Sequence, residues 1–396
     1  MSLCVLLTAL EASGDALGAD LMRALRSRLG GGVRFVGVGG PAMAAMGLAS
    51  AFDIHDLSIV GLVDGLMAAG RASRHARTLA QMALREAPDV AVLIDSWGFS
   101  YLAAGELRRR LPGLPLVKYV APQVWATRPG RAVALAKRFD LLLSIIAFEP
   151  PIFECAGAKV EFVGHPALGP DRRTGDAGRF KSLISAGADD PILLVLPGSR
   201  RSEIRRLAAP FEAALRLVKE GRPDLHVAVS AAPTVRMEVE AWAAGLPFRT
   251  HLVEGAHDRD DAMAAARAAL ACSGTITTEL AAAGCPMVVT YRLGALTYAI
   301  GKRIVRTPYA TLLNIAADEM IVPELIQDAC KGPAIAERLS ALLDDAGLRA
   351  RQMAAQAAAL ERLGRGVGPA AELAAEAVIR IASTGRGSAA LIDRDV

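Results

Sequence analysis

The sequence predicts an α/β fold of two Rossmann-like, doubly wound halves in series, facing a central cleft. Short apolar runs alternate with Ala-rich stretches of helical spacing along the chain. The alternation breaks at Gly164-His165-Pro166-Ala167-Leu168-Gly169-Pro170, where Gly and Pro cluster, and restarts at Ile192. With 396 residues, 53% of them hydrophobic and 22% charged, the chain has material for domains of roughly 100 to 200 residues each and is neither disordered nor fibrous.

The N-terminal apolar run Cys4–Ala9 lacks a basic leader and a small-residue cleavage site and leads directly into Glu11 and Asp15, so it reads as a buried first strand rather than a secretory signal. A helix over Asp15–Leu29 follows, then strand Arg34–Val38, helix Ser73–Glu86 and strands Val90–Ile94, Leu116–Tyr119, Leu141–Ile145 and Val160–Val163. The second series is Ile192–Leu196, His226–Ser230, Ala268–Cys272 and Met287–Tyr291. Residues 334–382 are helical by the spacing of Leu339, Leu342, Leu343, Leu360, Leu363, Leu373 and Val378, and Thr384–Val396 reads as a frayed tail. The expected division is residues 1–165, 166–345 and 346–396, with the last segment free to pack back on the first domain.

Forty-five Lys and Arg against 41 Asp and Glu give a net charge of +4, which is weak for a nucleic-acid binder. Mean hydropathy is +0.33, yet the longest uncharged run, 35–52, is broken by Gly37, Gly39, Gly40, Pro41 and Gly47, so no transmembrane helix is expected. Cys4, Cys155, Cys272, Cys285 and Cys330 are scattered with no metal-ligand spacing, so they read as reduced thiols, with no zinc and no other metal.

Ligands of open α/β sheets bind beyond the carboxyl ends of the strands, so function belongs in the strand-to-helix loops. Pro197-Gly198-Ser199-Arg200-Arg201-Ser202-Glu203 puts a small-residue turn and a guanidinium at a helix mouth, which suits a diphosphate. It equally suits an ordinary N-cap by Ser199 or Ser202 with surface arginines. Ser273-Gly274-Thr275 opens another helix, one turn into which Glu279 has the right chemistry to accept the two hydroxyls of a ribose; an acid that merely favours the helix dipole is the plainer reading. Gly37-x-Gly39-Gly40 is not the full dinucleotide spacing. Asp95 ends a strand and Asp15 opens a helix, which makes both candidates for a general base, and both equally turn or cap residues. Pro122–Arg131 gathers Trp125, Arg128 and Arg131 and suits a phosphate or anionic amphiphile, or else a packed Trp with surface arginines. His165 reaches a ligand or braces the hinge. Residues 57–69 are apolar on nearly every side and are followed by Arg71, Arg74, His75 and Arg77, a pattern that suits either core packing or a membrane surface.

Together these loops resemble the lipid-A-disaccharide synthase family. The matching segments are Glu-Ala-Ser-Gly-Asp (11–15), Gly-Val-Gly-Gly-Pro-Ala-Met (37–43), Leu-Ser-Ile-Val-Gly-Leu (57–62), Pro-Gln-Val-Trp-Ala (122–126) with Arg128, Gly130 and Arg131, and Val-Gly-His-Pro (163–166). They continue with Leu-Pro-Gly-Ser-Arg (196–200) and Glu203, Ser-Gly-Thr (273–275) and Glu279, Pro-Met-Val-Val (286–289), Tyr291-Arg292, Asn314, and Val-Pro-Glu-Leu (322–325) with Gln327.

The resemblance implies a GT-B fold and an inverting, metal-independent transfer without cofactor. The sugar passes from UDP-2,3-diacylglucosamine to the 6-hydroxyl of 2,3-diacylglucosamine 1-phosphate (lipid X), forming a β-1,6 disaccharide. It implies that Ser199, Arg200, Ser273, Gly274 and Thr275 hold the diphosphate and Glu279 the ribose, while Asn314 and Gln327 line the nucleotide-sugar pocket. Ser13, Gly14, Trp125, Arg128, Arg131 and His165 would serve the acceptor. Leu57, Ile59, Val60, Leu62, Leu66 and Met67 would meet the acyl chains at an anionic membrane surface. The implied location is the cytoplasm, peripheral to the inner membrane, with no nucleic acid; a homodimer is compatible. One departure matters. The family's loop commonly reads Ile-Asp-x-Pro-Asp-Phe-Asn, whereas this chain has Ile94-Asp95-Ser96-Trp97-Gly98-Phe99-Ser100, so the second acid is replaced by Gly98 and the base falls to Asp95 or Asp15. Thr127 and Leu313 are milder departures. The rivals are another GT-B activity, such as a UDP-GlcNAc 2-epimerase or a transferase to a different lipid, and a UDP-sugar-binding protein without turnover, which Gly98 keeps open.

Overall fold

The computed structural model describes residues 3–53, 65–170 and 174–392. It divides into two compact units, residues 1–170 with 366–396 and residues 171–365. Among the described residues, each unit is built on a six-stranded, all-parallel sheet.

In the first unit the strands are β1 (Leu3–Thr8), β2 (Val33–Val38), β3 (Val90–Ile94), β4 (Leu116–Tyr119), β5 (Leu141–Ser144) and β6 (Val160–Phe162), in the spatial order β2-β1-β3-β4-β5-β6. Every residue of β1, β3, β4 and β5 is buried, as expected of parallel strands covered by helices on both faces. Helix Ala12–Leu29 lays Leu21, Met22 and Leu25 on one face of the sheet; helix Gly65–Glu86 brings Ala76, Leu79, Ala80 and Ala83 to the other. Ala374, Ala375, Ala377, Val378 and Ala382 of the C-terminal helix Ala370–Ile392 belong to the same core as Leu21 and Leu25. The helix runs through 384–392, where the sequence suggested a frayed tail.

The second unit holds β7 (Ile192–Leu196), β8 (His226–Ser230), β9 (Thr250–Val253), β10 (Ala268–Cys272), β11 (Met287–Tyr291) and β12 (Glu324–Ile326), ordered β12-β11-β10-β7-β8-β9. Helix Arg201–Lys219 carries Ile204, Leu207, Phe211, Ala214, Leu215 and Val218 at helical spacing and buries them on this sheet. Helix Gly332–Asp344 lies against it so closely that a Cβ on Gly332 would stand 2.5 Å from the Ala213 side chain.

Both sheets reverse their winding once. The chain leaves β1 in one direction to β2 and in the other to β3; it leaves β7 in one direction to β8 and in the other to β10. In sheets of this kind the loops on either side of a switch point diverge, and ligands bind in the crevice between them.

Candidate active site

In the second unit the loops after β7 and β10 emerge side by side, since Leu196 and Ala271 are paired neighbours. Gly198 has φ +122, and a Cβ there would stand 2.6 Å from Glu203 Oε2, so the turn admits only glycine. Buried Glu203 closes the loop by accepting the backbone N–H groups of Ser199 (3.0 Å) and Arg200 (3.2 Å), with Arg200 Nη1 at 3.3 Å. The expected cap is therefore supplied by Glu203 rather than by Ser199 or Ser202. Ser199 and Arg200 remain on the surface of the loop, and Thr234 Oγ1 donates to the Ser199 carbonyl at 2.9 Å.

Beside them, Ser273 Oγ donates to the Ala310 carbonyl at 3.3 Å, Thr277 Oγ1 donates to the Gly274 carbonyl at 2.8 Å, and Gly274 and Thr275 are exposed. Glu279 is half-buried, one turn into helix Ile276–Ala282, with Arg259 Nη2 at 3.4 Å from its Oε2. The structure thus gathers Ser199, Arg200, Ser273, Gly274, Thr275 and Glu279 at one switch point.

Two residues expected at the pocket make their hydrogen bonds within the protein. Asn314 is fully buried; its Nδ2 donates to the Val322 carbonyl (2.9 Å) and to Glu324 Oε1 (2.7 Å), and its Oδ1 accepts from Val322 N–H (2.9 Å). Its hydrogen-bonding capacity is spent inside the protein, tying residues 311–322 to β12. Gln327, at φ +54, turns its side chain onto the backbone of Leu293, accepting from the N–H at 2.6 Å and donating to the carbonyl at 3.4 Å. Both brace the backbone that flanks Ser273.

In the first unit the switch point lies between β1 and β3. Asp95 (φ +47) and Ser96 (φ +40) follow β3 as two consecutive left-handed residues, and Val120 (φ +70) follows β4. Such backbone costs about 1–3 kcal/mol per residue and concentrates at functional sites. Asp95 is half-buried, and a Cβ on Gly14 would meet the Asp95 Cβ at 3.7 Å, so the small residue lets helix Ala12–Leu29 begin against the acid. Ser13 next to it is exposed. Gly98 heads helix Trp97–Arg110, with nothing within 4 Å of where a Cβ would stand.

Asp15, the other candidate base, is tied to the backbone. Its buried carboxylate accepts three backbone N–H groups, those of Gly40 (2.8 Å), Ala42 (2.8 Å) and Met43 (3.0 Å), and so anchors the turn that opens helix Pro41–Ala45. His165 is buried, and its Nδ1, accepting from Ala167 N–H at 3.2 Å, caps the short turn Pro166–Leu168.

The loop after β4 comes back over the Asp95 turn. Arg131 sits over the Trp97 ring at 5.7 Å, and Trp97 stacks on Tyr101. Trp125 Nε1 donates to Glu149 Oε1 at 3.0 Å, and Arg128 is exposed at φ +47. Leu57, Ile59, Val60 and Leu62 lie outside the described residues, as do the side chains of Leu66 and Met67.

Three residues that shape these loops escaped the sequence: Lys118, Glu149 and Arg259. Lys118 alone left a signal, a charge inside the apolar strand Leu116–Tyr119. His257, Asp258 and Asp261 have metal-like spacing, but the Arg179 guanidinium binds all three, which makes an ion-pair cluster of them. Among the described residues no helix is long and apolar enough to cross a membrane.

A model of the lipid-A-disaccharide synthetase family matches residues 5–378. The lipid-A-disaccharide synthase of Rhodospirillum centenum is 40% identical over 383 residues, covering 96% of this chain and 94% of its own. The chain belongs to the lipid-A-disaccharide synthase family. Its likeness to solved structures concerns the fold alone. The UDP-GlcNAc 2-epimerase of Neisseria meningitidis, bound to UDP-GlcNAc, aligns with a TM-score of 0.61 at 12% identity, over 96% of this chain and 100% of that one. The calicheamicin glycosyltransferase aligns with a TM-score of 0.60 at 17% identity, over 96% and 98%. As a lipid-A-disaccharide synthase, the protein is a glycosyltransferase of lipid A biosynthesis with a GT-B fold.

Proposed function

We propose that this enzyme transfers 2,3-diacylglucosamine from its UDP conjugate to the 6-hydroxyl of 2,3-diacylglucosamine 1-phosphate, with inversion and without a metal. The observation that carries the reading is the pair of loops at the β7/β10 switch point, in a chain whose family match runs from residue 5 to 378. Ser199, Arg200 and the Ser273–Thr275 loop bind the diphosphate. Their N–H groups and the Arg200 guanidinium oppose the charge that grows on departing UDP, the service a metal ion would otherwise give. Glu279, oriented by Arg259, accepts the ribose hydroxyls.

In the first unit Asp95 takes the proton of the acceptor 6-hydroxyl as its oxygen attacks the anomeric carbon and the bond to UDP breaks. Arg128 and Arg131 face the acceptor phosphate, and Trp125, fixed by Glu149, shapes their loop. Exposed Arg71, Arg74 and Arg77 on helix Gly65–Glu86 support peripheral binding to an anionic membrane.

Calorimetric titration with UDP and with uridine, in chelator, tests the nucleotide half. Arg200→Ala should weaken UDP at least tenfold and uridine little, whereas Glu279→Ala should weaken both. Unchanged affinities, or UDP binding that requires a divalent cation, would refute the assignment.

A further inference from the structure

We propose that Lys118 is a positioning residue for the transfer: from inside the sheet, its side chain holds the strained turn that presents Asp95. Lys118 lies mid-way along β4 and is 1% exposed, one of the largest fully buried side chains of the protein. Four oxygens converge on its Nζ: the carbonyls of Leu93 (3.2 Å) and Tyr119 (3.4 Å), the hydroxyl of Ser100 (3.4 Å) and, closest, the carbonyl of Asp95. The Asp95 carbonyl also accepts from Ser100 Oγ at 2.7 Å, and the Asp95 N–H donates to the Tyr119 carbonyl at 2.9 Å.

A buried strand position ordinarily takes Val or Ile, and a desolvated ammonium is costly there. What the ammonium gives in return is local. Asp95 and Ser96 both sit at positive φ, so the chain turns sharply and leaves carbonyl oxygens crowded at the end of β3. An ammonium has N–H donors to engage these oxygens, whereas a neutral amine would turn its lone pair toward one of them. Burial pulls the Lys118 pKa down to about 7, and the neighbouring Asp95 carboxylate opposes this. The side chain thus grips the Asp95 backbone from inside the sheet, through the carbonyls of Leu93 and Asp95.

This inference rests on the reading of Asp95 as base, and a double-mutant cycle keeps the two apart. Lys118→Met preserves length and packing without donors, and Lys118→Gln restores a polar tip. With turnover, KM for the UDP-sugar and melting temperature measured, Lys118→Met should fold, keep KM and lose on the order of 100-fold in kcat, as a displacement of the base by about an ångström would. Lys118→Gln should recover only in part, to about a tenth to a third of the wild-type value. In the Asp95→Asn background, Lys118→Met should cost nothing more. Wild-type kcat in either folded variant would overturn the proposal, as would an equal loss with Asn at 95. Should the Met variant fail to fold, the Gln variant carries the same cycle. Wild-type turnover by Asp95→Asn itself would instead sink the base assignment.

Discussion

Replacing Glu149 by Gln should stabilise the protein increasingly as pH rises from 4.5 to about 7, and by a constant amount above that. Glu149 is 1% exposed; its Oε1 accepts from Trp125 Nε1 at 3.0 Å, and its Oε2 lies 2.7 Å from Ser144 Oγ. Ser144 Oγ also accepts from Ile146 N–H at 3.2 Å and lies 3.0 Å from the Ile146 carbonyl. The hydroxyl has one proton for two acceptors. Ionised Glu149 therefore leaves one short oxygen–oxygen contact without a hydrogen, whereas the protonated acid donates to Ser144, which donates to Ile146. Burial raises the carboxyl from 4.5 to about 7, against the pull of its bonds to Trp125 and Ser144. Between those two values the folded state binds a proton that the unfolded chain has released, so stability falls as pH rises through this window and stays lower above 7. At about 1.4 kcal/mol per pH unit the ceiling is about 3 kcal/mol. A glutamine in this place would present its carbonyl to Trp125 and its amide N–H to Ser144 at any pH. Urea unfolding of both proteins at pH 5 and pH 8 should show a variant-minus-wild-type difference that grows with pH by up to about 3 kcal/mol. A difference equal at the two pH values would refute the protonated-acid account of this loop.

Three further outcomes follow from the same geometry. Gly198→Ala must move Glu203 and strain a turn at φ +122, so UDP affinity should fall at least tenfold by calorimetry and stability by about 1–3 kcal/mol. Asp15→Ala orphans three backbone N–H groups, two of them buried, and should destabilise the protein by about 3 kcal/mol while turnover per folded molecule stays within a few-fold, as unfolding and initial-rate measurements would show. Gly98→Asp meets open space at a helix N-terminus and should raise stability by about 0.5–1 kcal/mol; a tenfold or greater rise in kcat would mean that Asp95 does not suffice as the base.

The strands were legible where burial is two-sided. Runs such as Val90–Ile94 and Ile192–Leu196 have no polar alternation to confuse them, because helices cover both faces. Thr250–Val253 and Glu324–Ile326 went unseen because each is an edge strand, one of them partly exposed and the other three residues long. The helix through 384–392 was hidden by Gly385, Gly387 and their small neighbours. The loops that carry Gly198, Arg200, Ser273 and Glu279 were legible because a turn beside a helix mouth is a local feature. The backbone partners of Asp15, Asn314, Gln327 and His165 were not, since a polar side chain in a loop looks alike whatever distant group it meets. These partners, such as Met43 for Asp15 and Val322 for Asn314, come from folding. Lys118 is the converse case, a charge visible within a strand whose purpose depends on carbonyls of the neighbouring strand β3.

The most direct test is a mass-spectrometric assay of the purified protein with UDP-2,3-diacylglucosamine and 2,3-diacylglucosamine 1-phosphate in detergent micelles containing chelator. The account predicts the β-1,6 disaccharide 1-phosphate and UDP in equal amounts at enzymatic rate, with Asp95→Asn reduced far more in turnover than in UDP affinity. Folded, UDP-binding protein that yields no disaccharide, or yields an epimerised nucleotide sugar instead, would contradict it.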